Sequence, residues 1–406
     1  MRNLWVTELR VVGSGWRWAI TVGLSVRRRG GLQYPWQVII LRLMAGAQVD
    51  TASATAIRRA LVRWYDRHRR RLPWRRANPD PYLVLVSETM LQQTQVATVI
   101  DYYRRFIEAF PTVGALADAD ERQVLRLWQG LGYYRRARHL HQAAKQIVAE
   151  FRGRVPADAA TLLCLPGVGR YTAGAVASIA FDRPEPVLDG NVSRVLSRWF
   201  AIRTPIDEPA TNRLLWDLAR RVVPRSRPGR FNQAMMELGA LICTARRPRC
   251  HQCPVASRCR VGMTDEAELL PARAKKRAPR PVTHHVLAIR RRGRYIFEKR
   301  DGDGLWSHMW QLPTAEGLGT RPGPKGVASW LLRHRGLDAM PPARVGQFTH
   351  KTTHRTIGFV LWQVDSPRGR LPADAVWRRL DRVDDLPLAN PQRHALSLLG
   401  ERHEGT

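Results

Sequence analysis

LPGVGRYTAGAVASIAFDRPEPVLDGN, residues 165–191, carries three local signals in succession. Two glycines two apart, Gly167 and Gly169, let backbone approach a bulky anion without interference from a Cβ. The small residues of 172–177 then read as a helix, and the first amides and dipole of a helix favour negative charge. Pro184 and Pro186 mark an extended passage. Asp189-Gly190-Asn191 stands where an N-cap belongs, ahead of a helix predicted over 192–200. On these residues alone the turn is either a plain loop or a phosphate cradle, and Asp189 either a cap or a functional carboxylate.

On both sides of this stretch the pattern stays helical. Apolar periodicity predicts helices over 56–70, 82–91, 95–110, 120–129, 135–151, 214–223 and 231–243, with no strand pattern between 52 and 260. Asp80-Pro81 supplies a cap and a first-turn proline for the second of these, and Thr94 is a candidate cap for the third. Glu88 falls among Leu83, Val84, Leu85, Val86, Met90 and Leu91. A carboxyl in that company is desolvated, and desolvation raises its pKa. The alternative is a Glu on a solvated face, which apolar neighbours on nearly every side disfavour.

Cys243, Cys250, Cys253 and Cys259 can close around one metal centre, and the spacing leaves zinc and an iron–sulfur cluster both open. Cys164 stands apart and reads as a small core residue. Beyond the cysteines, 264–282 is rich in proline and charge and reads as a linker. Strands are then expected at 285–291, 295–299, 309–312 and 356–364, with helices at 326–335 and 392–399, a separate α+β domain.

Lys+Arg of 67 against Asp+Glu of 34 gives a formal charge of +33, with only six Lys among the cations. That excess points to a polyanion, nucleic acid ahead of a membrane. No run of about 18 apolar residues is present, so no membrane span is expected. Residues 1–50 are basic and nearly free of acid, as a transit peptide can be. The preferred expectation is a mis-assigned start, with Met44 as an example, or disorder, and no function is assigned there.

Seven segments, LPWR (72–75), SETMLQQTQV (87–96), GLGYYRRARHLH (130–141), LPGVGRYTAG (165–174), LDGNVSRVL (188–196), FNQAMMELGALIC (231–243) and the four-cysteine loop, resemble adenine DNA glycosylases of the MutY type. That family belongs to the endonuclease III, helix-hairpin-helix superfamily. The resemblance implies a multi-domain chain. An all-α helix-hairpin-helix glycosylase domain with an iron–sulfur cluster loop (51–263) precedes a linker (264–282) and a Nudix-like 8-oxoguanine-recognition domain (283–400).

Implied with it is a monofunctional hydrolase that removes adenine mispaired with 8-oxoguanine or guanine in double-stranded DNA. Glu88 matches the acid that protonates N7 of the flipped adenine, and Asp189 the carboxylate that stabilises the sugar cation. Asn191 matches a residue that bonds near Asp189 and the water. Tyr171 stands where strand-cutting relatives carry a Lys, and a phenol forms no imine. Trp74, Arg75 and Glu237 match the adenine pocket; their plain alternatives are core, surface charge and intrahelical partner. Gln92 and Gln93 match the wedge that replaces a flipped base, with Tyr133 helping, while Gly167, Gly169 and Arg170 meet the DNA backbone. The four cysteines match a 4Fe-4S cluster.

Two departures qualify the match. The helix over 326–335 holds no carboxylate, whereas a working Nudix hydrolase needs a Glu-rich helix for Mg²⁺. The family's reading loop commonly has Phe-Ser-His, and this chain has Thr352-Thr353-His354. Thr353 keeps the hydroxyl, His354 is retained, and the aromatic is lost. A thymine or oxidised-pyrimidine glycosylase of the same superfamily, or a non-catalytic DNA-binding protein, are the competing expectations. The further expectations are a monomer in a bacterial cytoplasm, associated with the nucleoid.

Overall fold

A computed structural model describes residues 51–274, 278–300, 304–352, 354–369 and 375–404. The expectations for residues 1–50 and for Thr353 fall outside these.

Helix α1 (Thr51–His68) opens the described chain, followed by α2 (Pro81–Leu91), α3 (Val96–Ala109), α4 (Val113–Ala117) and α5 (Glu121–Trp128). Asp80 caps α2 through its side chain, accepting from the amides of Tyr82 and Leu83, with Pro81 in the first turn. Thr94 does not cap α3: its hydroxyl accepts instead from Arg136 Nη2 at 3.1 Å, and Gln95 takes the cap position with no side-chain bond. The long α6 (Arg135–Phe151) and short α7 (Ala159–Leu162) lead to α8 (Arg170–Phe181) and α9 (Gly190–Trp199). Helices α10 (Pro209–Val222) and α11 (Pro228–Leu241) close the domain.

Residues 82–90 of α2 and 172–178 of α8 are all buried, so both helices run through the middle of the domain. A helix apolar on every side has no solvated face to offer. After the cysteine loop, the 264–282 stretch is more structured than a linker. It forms α12 (Glu266–Leu269), and Ala267 and Leu270 pack with Val261 against Cys250 and Cys259.

The C-terminal domain is a mixed sheet of β1 (Arg280–Arg291), β2 (Arg294–Lys299), β3 (Trp310–Gln311), β4 (Thr314–Glu316), β5 (Ala343–Lys351), β6 (Arg355–Asp365) and β7 (Val376–Arg378). The path is β3-β2-β1-β6-β5, with β4 paired to β1 and β7 to β2; β1 and β6 run parallel. Period-two alternation serves both faces. Val286, Ala288, Phe297, Ile357, Phe359 and Leu361 face Ala395 and Leu399 of the last helix, α14 (Asn390–Glu404). Leu287, Ile289, Ile296, Trp362 and Val364 face Val327 and Leu331 of α13 (Pro324–Arg335). The sequence reading missed β4, β5 and β7.

The described residues form one unit. Met309 and Ala389 of the C-terminal domain are buried in the core of the helical one, and the Leu388 amide donates to Gln129 Oε1 at 3.2 Å.

Candidate active site

The turn between α7 and α8 is the hairpin expected at 165–169. Gly167 takes φ 74°, and a Cβ there would sit 2.5 Å from the Cβ of His139, so only glycine fits. Gly169 caps α8 with no side-chain bond, leaving the first amides of the helix unpaired by a cap. Arg170 follows, its guanidinium lying 3.9 Å from the centroid of the Trp216 ring.

In the first turn of α8, Tyr171 aims its phenol at α2. Its hydroxyl donates to Glu88 Oε2 at 2.6 Å and lies 3.2 Å from Met236 Sδ. Glu88 is 5% exposed. Burial, aided by the charge of Asp189, pushes its carboxyl up to about 7 against the opposing Tyr171 bond and Arg75 charge. The same burial and both carboxylates raise Tyr171 well above the ordinary phenol value, so it stays a neutral donor.

Asp189 is both the N-cap of α9 and a half-buried carboxylate. Its Oδ1 accepts the Val192 amide at 2.7 Å and its Oδ2 accepts Asn191 Nδ2 at 2.9 Å. Burial raises its pKa, and the Val192 amide, Asn191 and Arg194 work in the opposite direction. Asn191 is oriented in turn by Arg194 Nη2, 2.8 Å from its Oδ1, while Arg194 Nε holds the Cys243 carbonyl at 2.7 Å.

Glu88, Tyr171, Asp189 and Asn191 line a single cleft of about 700 Å³, into which Trp74, Arg75, Glu237, Gln92, Gln93, Gly167, Gly169 and Arg170 also face. Trp74 is at once core and lining, packed edge-on against Tyr103. Glu237 is not an intrahelical partner, nor is Arg75 a surface charge. Glu237 receives two bonds from the side chain of Arg75 (3.0 and 2.8 Å) and two from that of Arg70 (3.0 and 2.7 Å). Burial alone would raise Glu237; the two guanidiniums overcome it and hold the carboxyl down at about 2.

Gln92 and Gln93 sit on the turn after α2. Gln92 Nε2 donates to Thr172 Oγ1 at 3.0 Å, and Gln93 is held at φ 58°. Tyr133, 49% exposed and at φ 49°, joins both glutamines around an adjoining cavity of about 310 Å³. Arg136 fixes this corner, donating from Nη1 to the carbonyls of Thr89 (2.8 Å), Met90 (3.0 Å) and Gln92. Those are the orphan acceptors of a helix C-terminus. The sequence reading missed Arg70, Arg136 and Arg194, because nothing distinguishes them from the chain's many other arginines. His354 is exposed on the β5–β6 turn and does not line the cleft.

The four loop cysteines are free thiols around one small cavity, with Arg198 Nη1 3.2 Å from Cys243 Sγ. Among the described residues no three Cys, His, Asp or Glu converge tightly enough for a single ion. Four thiols lining one cavity are a donor set that an iron–sulfur cluster takes, and zinc accepts the same four.

Residues 86–221 match the model of the HhH-GPD superfamily of base excision DNA repair proteins. Residues 243–259 match the iron–sulfur binding domain of endonuclease III, and 285–398 the NUDIX domain. The adenine DNA glycosylase of Rattus norvegicus is 36% identical over 415 residues, covering 88% of this chain and 80% of the relative. That of Homo sapiens is 51% identical over 229 residues, covering 54% and 42%. The adenine DNA glycosylase of Buchnera aphidicola subsp. Baizongia pistaciae is 35% identical over 299 residues, covering 73% and 82%.

Proposed function

The chain belongs to the adenine DNA glycosylase family, and from that premise we propose how its cleft cuts the N-glycosidic bond and which mispair it serves. The activity is that of a hydrolase in base excision repair, and the chain carries a 4Fe-4S cluster. We assign Cys243, Cys250, Cys253 and Cys259 as its ligands. When bound, it neutralises their thiolates and shapes the loop that presents Arg246, Arg247 and Arg249 to solvent.

Adenine leaves poorly as an anion, so the bond breaks only if a proton reaches the base as it departs. Glu88, with its carboxyl near pH 7, is the donor to N7. Positive charge then builds on the sugar, and the Asp189 carboxylate faces it from the start of α9. Asn191 holds that carboxylate in place. Trp74 and the Arg75–Glu237 pair shape the pocket for the flipped base, while Gln92 and Gln93 enter the stack it vacates. The hairpin glycines and Arg170 take the phosphates.

Tyr171 supplies a phenol where an amine would be needed for a Schiff base, and among the described residues no Lys lines the cleft. The enzyme therefore hydrolyses without cutting the strand. The substrate is duplex DNA with adenine opposite 8-oxoguanine or guanine, and the enzyme acts as a monomer on nucleoid DNA. The oxidised base is read by Thr353 and His354, which fall between β5 and β6 in the chain. The C-terminal domain is a reader and not a nucleotide hydrolase, because α13 has no carboxylate, and its Arg335 is bound to Glu298 at 2.9 Å.

The observation that carries this reading is the convergence of Glu88, Tyr171 and Asp189 in one cleft. Labelled duplexes containing A opposite 8-oxoguanine, A opposite G, T opposite G, or thymine glycol test it. Free adenine should leave the first two, with strand breaks only after alkali. Release of thymine or the glycol in place of adenine would overturn the assignment.

A further inference from the structure

The parallel pairing of β1 and β6 sets Arg280 opposite Arg355 and Arg290 opposite Asp365. The 352–354 turn thus lies at one end of the sheet and the β1–β2 turn at the other. Ten strand residues at roughly 3.3 Å each put them about 33 Å apart. That far end is strongly basic. The turn reads Arg290-Arg291-Arg292-Gly293-Arg294, and beside it β7 pairs with β2, Arg378 facing Tyr295. Together they form a groove of about 490 Å³ lined by Arg294, Arg378, Arg379 and Arg382 with Trp377, against two carboxylates, Asp384 and Asp385.

Three of the arginines are partly neutralised: Arg290 by Asp365 at 2.8 Å, Arg379 by Asp381 at 3.1 Å and Arg378 by Asp385 at 3.4 Å. Arg291, Arg292, Arg294 and Arg382 have no carboxylate within ion-pair distance among the described residues. Seven arginines gathered at one end of a sheet, four of them without an ion-pair partner among the described residues, repel one another unless an anion covers them. The base pair served by the cleft is assigned to the opposite end of the sheet, so the phosphates flanking it lie away from these arginines. An acidic peptide would want apolar anchors, and this surface offers one half-buried tryptophan. A phosphate backbone asks only for spread positive charge.

We propose that this end of the sheet is a second duplex-binding surface, which holds the phosphates of a DNA segment other than the one in the cleft and lets the enzyme pass from segment to segment. The inference rests on the reading of the cleft as a DNA site. A protein that can hold two duplexes at once leaves the first faster when a second is offered.

Dissociation of the full-length protein from a labelled duplex is followed while unlabelled duplex is raised. The rate should climb several-fold with competitor. Charge reversal at Arg291→Glu, Arg292→Glu, Arg294→Glu and Arg382→Glu should flatten that dependence and leave single-turnover adenine release at saturating DNA unchanged. The matching Arg→Lys set keeps the charge and should keep the dependence, which separates loss of charge from loss of fold. A wild-type rate indifferent to competitor, a reversed variant that still responds, or poly-glutamate competing as well as duplex would each overturn the proposal. Adenine release measured on the same samples reports separately on the cleft.

Discussion

In the proposed roles Glu88 acts protonated and Asp189 ionised, so the pH–rate curve should have two limbs with opposite signs. The acid form of Glu88 is lost as pH rises through about 7, and activity falls on that side. Asp189, raised by burial, gains its proton as pH drops, and activity falls on that side too. Single-turnover release should therefore be bell-shaped, with its alkaline limb near pH 7, and Glu88→Gln should lose about 10²–10⁴-fold in rate with duplex binding retained. A flat alkaline limb, or a fast Glu88→Gln enzyme, removes Glu88 from the acid's role. Trp216 gives a second prediction at this scale. Its indole holds the Arg170 guanidinium flat at the first turn of α8. Trp216→Leu should weaken duplex binding about as much as Arg170→Ala, and the two changes should not add. Trp216→Phe, which keeps a ring, should restore most of the affinity. Full additivity in the double variant would mean that the stacking does not orient the cation.

Helices α9 and α11 touch where α11 has a glycine: a Cβ on Gly239 would stand 2.6 Å from the Cβ of Asn191. Gly239→Ala should push α9 outward, disturb the Asn191–Asp189 bond and slow base release at least tenfold with only modest loss of thermal stability. Unchanged single-turnover rates would show that the contact carries no positioning. This is also the scale at which the sequence was most legible. Long helices with a sustained period, such as α6, and the hairpin joining β1 to β2 were readable because each carries its own pattern. The short α4 and α7 span too few turns to show one, and β4 and β7 are three-residue edge pieces. β5 hides its alternation behind an irregularity between Arg344 and Gly346. The cleft was legible where a residue type is rare in its setting, as with a Glu inside an apolar helix or an Asp before Gly-Asn. It was illegible where Arg does the work, because Arg70, Arg136 and Arg194 act through the carbonyls and carboxylates that folding brings to them.

At the scale of the whole molecule, the proposed reading asks two domains with different chemistry to agree on one base pair, and specific contacts join them. Arg122 of α5 lies 5.8 Å from the centroid of the Trp310 ring, and His308 meets Glu121 at 3.2 Å. Met309 is buried in the helical core, while three residues earlier Trp306 packs edge-on against His350 of β5 and against Phe359 of β6. Those two strands carry the 352–354 turn, so the 306–309 segment connects the core under the cleft to the turn assigned to read the opposite base. Shortening Met309 should loosen that connection and leave Glu88 and Asp189 untouched. Met309→Ala removes a buried side chain at a cost of about 2–5 kcal/mol if the site cannot collapse. The expected signature is a selective one: adenine release opposite 8-oxoguanine slows several-fold, release opposite guanine changes little, and the ratio of the two rates shrinks. Rates for both mispairs, measured at saturating enzyme on one preparation, decide it. An equal fall in both would mean that Met309 serves stability alone and that the reader is positioned by other contacts.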